Sequence, residues 1–390
     1  MNIVRVGVIG IGNIGSVHTK YIAEGKVEGL MLSALCDIKS EKEAALRESY
    51  PDTPFFTDYK ELIASGLCDA VIVSTPHKFH SEISEAALNA GLHVLTEKPV
   101  DITVSKAEHL NLLAKKSGRV FAIMFNQRTN PLFRKAREIV KSGALGSLKR
   151  SVWIITNWYR SQSYYNSGDW RATWSGEGGG VLLNQAPHNL DLWQWICGMP
   201  TEITAACDIA KYHNIEVEDD VTLFARYENG ATGVFITSTG EYPGTNRLEI
   251  SGELGKIVLE NGKLKWWRLK CSEREVCFSA ASNSPSIETE YEEIELSAAE
   301  TGHRLVLQNF ADAILKGAEL LAPGTDGIFE LSISNAAYLS SKKKCSVSLP
   351  IDGIEFDKLL SELCCHSKSK QNDNEIEKNE NYSSRWKVNW

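Results

Sequence analysis

The chain has 390 residues, a formal net charge of -8, 43% hydrophobic and 24% charged residues. Those proportions are those of a globular protein, and the length exceeds the roughly 100–200 residues of one domain, so two domains are expected. The acidic balance excludes a nucleic-acid or anionic-membrane surface as the main partner, and no run reaches the roughly 18 apolar residues of a membrane span.

Residues 1–125 alternate short apolar runs with amphipathic stretches. The runs are 4–9, 31–36, 70–74, 93–96 and 120–125, and helical spacing marks 14–23, 81–89 and 104–116. Alternation of this kind predicts βαβ units and a parallel sheet. A further helix is expected over 130–141, ended by Gly143 and Gly146. Beyond it the pattern changes. Residues 148–158 read as a long strand, and 178–196 as a helix entered through glycines. From 201 to 269, strand-like runs are broken at 228–230, Pro243-Gly244 and Asn261-Gly262, which predicts hairpins and a mostly antiparallel sheet. Helices are expected over 301–316 and 326–341. Residues 366–390 are polar and expected to be partly flexible, with Trp386 and Trp390 leaving a docking role open. The fold class is therefore α/β: an N-terminal parallel sheet, then an α/β domain with a large, mostly antiparallel sheet.

Gly10-Ile11-Gly12-Asn13-Ile14-Gly15 follows the first predicted strand and opens a helix. This G-x-G-x-x-G spacing lets the backbone turn tightly, approach a pyrophosphate, and pack helix on strand. The helix N-terminus offers its unpaired N–H groups to the phosphates. Asp37 stands at the end of the second strand, where an acid accepts the ribose hydroxyls. It repels a 2′-phosphate, and no Arg follows it directly; Lys39 and Lys42 are nearby and read equally as solvated side chains. The expected cofactor is NAD, ahead of NADP.

The strand at 93–96 ends in Glu97-Lys98-Pro99. In an open parallel sheet ligands bind beyond the carboxyl ends of the strands, so a Lys there can exchange a proton with a substrate. The residues Asn157, Trp158, Tyr159, Arg160, Tyr164, Tyr165, Trp170, Arg171 and Trp174 are rich in aromatic and guanidinium groups. They read either as a sugar pocket, stacking on C–H faces and bonding hydroxyls, or as core and interface aromatics. His77, His80 and His188 lack the accompanying Cys or acid cluster of a zinc site, so no metal is expected. Arg5 interrupts the N-terminal apolar run, so no signal peptide is expected. The nine Cys contain no CxxC pair; a reducing, cytoplasmic location is expected, without disulfides.

Taken together these stretches resemble the Gfo/Idh/MocA oxidoreductases, the family of glucose–fructose oxidoreductase and inositol dehydrogenase. The resemblance rests on Gly10 to Gly15; Ser74-Thr75-Pro76 with His80; Gly91-Leu92-His93-Val94 running into Glu97-Lys98-Pro99; Phe125-Asn126-Gln127-Arg128; Gly178-Gly179-Gly180 leading to His188 and Asp191; and His303 with Asn309-Phe310. It implies a Rossmann domain over 1–127 and a substrate-binding and oligomerisation domain over 128–350. Residues 351–390 are then an extension, and the final helices are free to pack back on the first domain. It implies that Ser74, Thr75, Pro76 and His80 line the cofactor, that Glu97 and Lys98 lie near the nicotinamide, and that Gln127 and Arg128 close that side. Lys98 would bond the reacting hydroxyl, Pro99 would follow a cis bond, and His188 would be the catalytic histidine. The family's Asp four residues earlier is Asn184 here, at a spacing that puts the pair on one helical face. Asn126, Trp158, Arg160, Trp170, Arg171, Asn184 and His188 would meet the substrate. The implied reaction is hydride transfer between the nicotinamide and a sugar, glycoside or cyclitol hydroxyl, with C3 oxidation of a glucoside as the narrowest reading, in a homodimer or homotetramer. An NAD-dependent glycosidase using transient oxidation, and a non-catalytic NAD-binding regulator, are the alternatives.

Overall fold

The computed structural model describes residues 3–168, 170–295 and 301–367. Trp386 and Trp390 lie outside the described residues. The chain forms two compact units, one of Met1–Thr129, Gly176–Gly178 and Glu300–Leu331, the other of the remaining segments. A boundary drawn at 127/128 differs from this because the chain returns to the first unit twice, at positions hundreds of residues from its start only along the sequence.

The first unit is built on six parallel strands, β1 (Val4–Ile9), β2 (Leu30–Cys36), β3 (Phe55–Phe56), β4 (Ala70–Val73), β5 (His93–Thr96) and β6 (Phe121–Ile123). Their order is β3-β2-β1-β4-β5-β6. Both faces are covered, which is why the strands read as unbroken apolar runs rather than alternating ones. Between them run α1 (Asn13–Ala23), α2 (Glu43–Ser49), α3 (Tyr59–Ala64), α4 (His80–Asn89) and α5 (Val104–Ser117). The strand order reverses between β1 and β4, so their carboxyl ends flank the crevice where such sheets bind ligands.

The second unit opens with α6 (Pro131–Lys141), which Asn130 caps by accepting the Leu132 amide, with proline at its first position. Strand β7 (Leu148–Ile155), α7 (Gln162–Asn166) and α8 (Pro187–Cys197) follow. Then come β8 (Glu202–Ile209), β9 (Glu218–Arg226), β10 (Thr232–Ser238), β11 (Asn246–Gly252), β12 (Gly255–Glu260), β13 (Lys263–Leu269), α9 (Glu273–Ser279) and β14 (Thr289–Ile294). The last described elements are α10 (His303–Lys316), which belongs to the first unit, then α11 (Gly327–Lys343), β15 (Val347–Ser348) and α12 (Gly353–Cys365). The nine strands take the order β14-β13-β12-β11-β7-β10-β9-β8-β15.

Two of the three expected hairpins form. The turn at 228–230 joins β9 to β10, and Asn261 and Gly262, both at positive φ, join β12 to β13. Pro243-Gly244 does not make a hairpin. Strand β7 lies between β10 and β11, parallel to one and antiparallel to the other, so the connection there passes across it. The expected helix from 178 begins only at Pro187. Pro187 has no N–H to continue a ladder from the preceding turns.

The cores follow from the same pattern. In the first unit Val6, Val8, Leu35, Ile72 and Leu95 from the sheet pack with Ile22 of α1 and with Val306, Leu307, Phe310 and Ala311 of α10. In the second, Trp153 and Trp193 lie against Phe235 with ring centres 6.1 and 5.6 Å away. Buried Trp193 donates its indole N–H to Ser151, so its one polar atom is satisfied.

Candidate active site

At the dinucleotide end of the first unit, Gly10 has φ +90, and a side chain there would meet the Ser74 carbonyl oxygen at 2.6 Å. A Cβ on Gly15 would run into the Gly10 carbonyl, whereas the space over Gly12 is open. Ser74 closes this arrangement by donating to the Gly10 carbonyl at 2.8 Å. No side chain caps α1 at Gly12, so its first amides are left for an anion. Gly12 and Asn13 are exposed, Ile14 is partly so. The hydroxyl of Thr75 and the side-chain oxygen of Asn126 are buried without hydrogen-bond partners. A tight turn, an open glycine, uncapped amides and two unsatisfied polar atoms fit a dinucleotide.

Asp37 is 7% exposed. Its carboxylate accepts the amides of Ile11 at 2.9 Å and Lys39 at 3.0 Å. Lys42, which the sequence leaves open between solvent and this site, sets its ammonium 2.5 Å from Asp37 and 2.8 Å from the Ile11 carbonyl. The helical turn at Ser40–Lys42 folds it back onto the acid, a contact that spacing alone does not reveal.

At the end of β5, Glu97 and Pro99 are buried and Lys98 is half-buried. The Lys98–Pro99 peptide is cis. The Glu97 carboxylate is taken by the His18 ring of α1 at 2.8 Å. Burial raises the Glu97 carboxyl, but the hydrogen bond and charge of His18, with His303 and Lys98, outweigh it and hold it at about 2. Glu97 is therefore an anion that ties α1 to the strand end. His303, ring centre 5.7 Å from His18, is lowered to about 4, chiefly by burial, and stays neutral at neutral pH. His18 carried no distinct signal in the sequence, although it stands one turn past the glycines.

Two expected cofactor contacts are turned inward. The Arg128 guanidinium is 1% exposed, pairs with Asp326 at 2.7 Å and reaches the Leu321 carbonyl. Its neighbour Gln127 is partly exposed. The His80 ring, 1% exposed, bonds the carbonyls of Thr75 and Pro99. Arg128 is thus spent on partners distant in sequence and His80 on two backbone carbonyls, Thr75 five residues before it and Pro99 further on.

In the second unit Asn184 lies in the turns before α8 and His188 in its first turn, rather than both on one helix face. Asn184 is half-buried and His188 is 4% exposed. The glycine segment ahead of them is anchored by Glu218, which sequence reasoning missed. Its carboxylate accepts Gly180 N–H at 2.9 Å, Leu182 N–H at 3.0 Å and the Tyr338 hydroxyl at 2.8 Å. Burial pushes the Glu218 carboxyl up to about 7, against the pull of those donors. Nearby in the chain, Arg160 lies over Trp158 and Tyr164 at 5.8 and 5.1 Å, and Arg171 over Tyr164 and Trp170 at 4.5 and 4.8 Å. Trp158 and Trp174 are buried, Trp170 is partly exposed. Part of the aromatic stretch is therefore core and part is accessible. Among the described residues no group of three or more His, Cys, Asp or Glu could hold a metal ion.

Residues 4–125 match the model of an oxidoreductase family with an NAD-binding Rossmann fold, and residues 133–258 match the Gfo/Idh/MocA C-terminal domain. The chain belongs to the Gfo/Idh/MocA family. It is an NAD-binding Rossmann oxidoreductase, as the glycine motif and strand order indicate. This member is 26% identical to myo-inositol 2-dehydrogenase of Thermotoga maritima over 88% of its length and 98% of the relative's. It is 31% identical to D-glucoside 3-dehydrogenase of Escherichia coli over 67% of its length and 68% of the relative's. The WlbA dehydrogenase of Bordetella pertussis, solved with NADH and UDP-GlcNAcA, superposes with a TM-score of 0.75 at 25% identity, covering 90% of this chain and 100% of that one.

Proposed function

We propose that the protein oxidises a secondary hydroxyl of a sugar, glycoside or cyclitol with NAD, and that its narrowest substrate class is a glucoside oxidised at C3. The observation that carries this reading is Lys98, the half-buried amine between buried Glu97 and Pro99 at the carboxyl end of β5. The bound nicotinamide supplies the hydride acceptor. The chain's own residues do the rest. Gly10, Gly12, Asn13, Ile14 and Gly15 hold the phosphates, and Asp37 takes the ribose hydroxyls. Thr75 and Asn126 satisfy their buried polar atoms on the cofactor. Lys98 bonds the reacting hydroxyl, whose proton passes to Lys98 or to His188 as hydride leaves the carbinol carbon. The resemblance assigns His188 the base role, with Asn184 in place of the usual acid. Trp158, Arg160, Trp170 and Arg171 are proposed sugar contacts because guanidinium and aromatic faces alternate there. Names of relatives that act on an inositol and a glucoside support the substrate class.

The test is a screen of glucosides, free sugars and inositols with NAD+, followed at the NADH absorbance band. NADH formation with a glucoside and a 3-keto product supports the reading. Glycosidic cleavage without net NADH replaces it with a transient-oxidation glycosidase, and no turnover with any polyol removes it. A reducing, cytoplasmic location belongs to the same reading, on the cysteine spacing in the sequence. No described helix is long and apolar enough to cross a membrane.

A further inference from the structure

His80 makes two hydrogen bonds that a neutral imidazole cannot make together. Its Nδ1 lies 2.7 Å from the Pro99 carbonyl oxygen and its Nε2 2.7 Å from the Thr75 carbonyl oxygen. Carbonyl oxygens only accept, and a neutral imidazole has one N–H and one lone pair. A lone pair facing a carbonyl at that distance is repelled. Only the imidazolium, with two N–H groups, donates to both.

The bridge falls where the sheet stops. The parallel ladder between β4 and β5 ends at Val73 and Thr96, with the Glu97 amide on the Val73 carbonyl at 2.8 Å. Past that point the chain diverges into Ser74-Thr75-Pro76 on one side and Lys98-Pro99 on the other. The His80 ring joins the two segments. The acids around it have partners of their own. Asp101 accepts the Ser81 hydroxyl and the Ile102 and Thr103 amides, with the Lys106 ammonium at 3.8 Å. Glu85, on the same helix, faces His109 at 3.8 Å, and Glu97 is held by His18. Further titratable neighbours among the described residues are His77, ring centre 5.9 Å away, and Lys98, next to Pro99 in the chain. The two carbonyl dipoles thus hold the charge.

We propose that His80 is a positioning residue kept as an imidazolium, a buried cation that clamps Thr75 to Pro99 and so fixes the cofactor loop relative to Lys98. The proposal rests on the reading of the first unit as the cofactor and hydride-transfer side. Losing the proton breaks one of the two bonds and releases one loop from the other.

The experiment has two arms on the full chain. In the first, 15N-labelled wild type is studied by side-chain NMR, with the His80 ring assigned through its own Cβ. Both ring nitrogens are expected to be protonated at pH 7.5, and a neutral tautomer at that pH overturns the proposal. In the second, NAD+ is titrated onto wild type and His80→Gln, an uncharged amide with one donor atom and one acceptor atom, with a thermal melt confirming the fold. Loss of one charge-assisted bond is expected to weaken binding about 10-fold, with kcat falling more than the KM for the alcohol rises. Binding and kcat both within about twofold of wild type overturn the positioning role. If His80→Gln does not fold, the NMR arm alone decides. Wild type that binds no NAD+ at all instead removes the cofactor reading and leaves the NMR result standing.

Discussion

The ammonium of Lys42 and the carboxylate of Asp37 are 2.5 Å apart, so the acid that would take the ribose hydroxyls already carries a cation. Asp37 still presents negative charge where a 2′-phosphate would sit, and NAD+ is expected to bind more tightly than NADP+. The pairing makes the preference reversible. In Asp37→Ala the Lys42 ammonium is released for a phosphate, and the ratio of NADP+ to NAD+ affinity should rise by about tenfold or more, the worth of about 1.4 kcal/mol. Lys42→Ala should move it the other way. Titration of both cofactors onto the three proteins checks this; an unchanged ratio in Asp37→Ala would sink it.

Lys98→Ala should lower kcat by about 10²-fold or more, the scale of a lost acid–base group. NAD+ affinity should change little, because Glu97 keeps its bond to His18. Steady-state rates with a turnover substrate, together with cofactor titration, separate the two effects. A variant with wild-type kcat removes Lys98 from the chemistry.

Glu218 makes the second unit sensitive to alkali. Its folded value, about 7, lies above the ordinary 4.5 because burial penalises the charge. The folded state therefore binds more protons than the unfolded chain between those values, and stability is lost as pH rises through 7. The contribution is on the order of 3 kcal/mol at most. Thermal melts of wild type and Glu218→Gln at pH 5 and pH 8 measure it. The wild type should lose more Tm between the two pH values than the variant; equal losses would show that Glu218 does not titrate in this range.

Asn184→Asp should move the acidic limb of kcat/KM for alcohol oxidation to higher pH. The base must be unprotonated to act, and a new carboxylate favours its charged form by about 1–3 pH units. Profiles of wild type, Asn184→Asp and His188→Asn decide the matter. Identical limbs in the first two uncouple Asn184 from the base, and a limb that survives in His188→Asn assigns the titration to another group.

One face of the nine-stranded sheet carries a half-buried apolar patch at its centre, bordered by Arg150, Thr222 and Glu249. Val152, Ile154, Phe224, Val234 and Ile236 share it and are neighbours across β7, β10 and β9. A face of this kind needs cover, and a second copy of the chain is the expected cover. Light scattering should give a dimer or tetramer at micromolar concentration, and Phe224→Arg should shift it toward monomer. A wild-type monomer contradicts this.

How much of this was legible in the sequence depended on range. Residues 4–9 and 93–96 were readable to the residue because buried parallel strands are continuous apolar runs. The glycine motif was readable because its spacing is its geometry. The placement of β7 between β10 and β11 was not, since a strand's apolar pattern names its face and not its neighbours. Nor were the partners of Arg128 and Glu218. Asp326 is 198 residues from Arg128 and Tyr338 is 120 from Glu218, and no local pattern links residues so far apart. Lys42 stayed open for the opposite reason: a lysine five residues from an acid reads equally as solvated unless the turn between them is known.

The packing of α10 into the first core has a bearing on synthesis. Val306, Leu307, Phe310 and Ala311 fill space among strands made from residues 4–124. A ribosome that has just released the glycine motif and all six strands has therefore delivered a nucleotide-binding sheet that lacks part of its own interior. Roughly half the chain must still emerge before that gap closes, and meanwhile the sheet offers an open apolar seat of the kind that chaperones guard. Domain swaps cut at residue 127 would inherit the same vacancy, so a portable version of the first unit must carry the 300–331 segment with it.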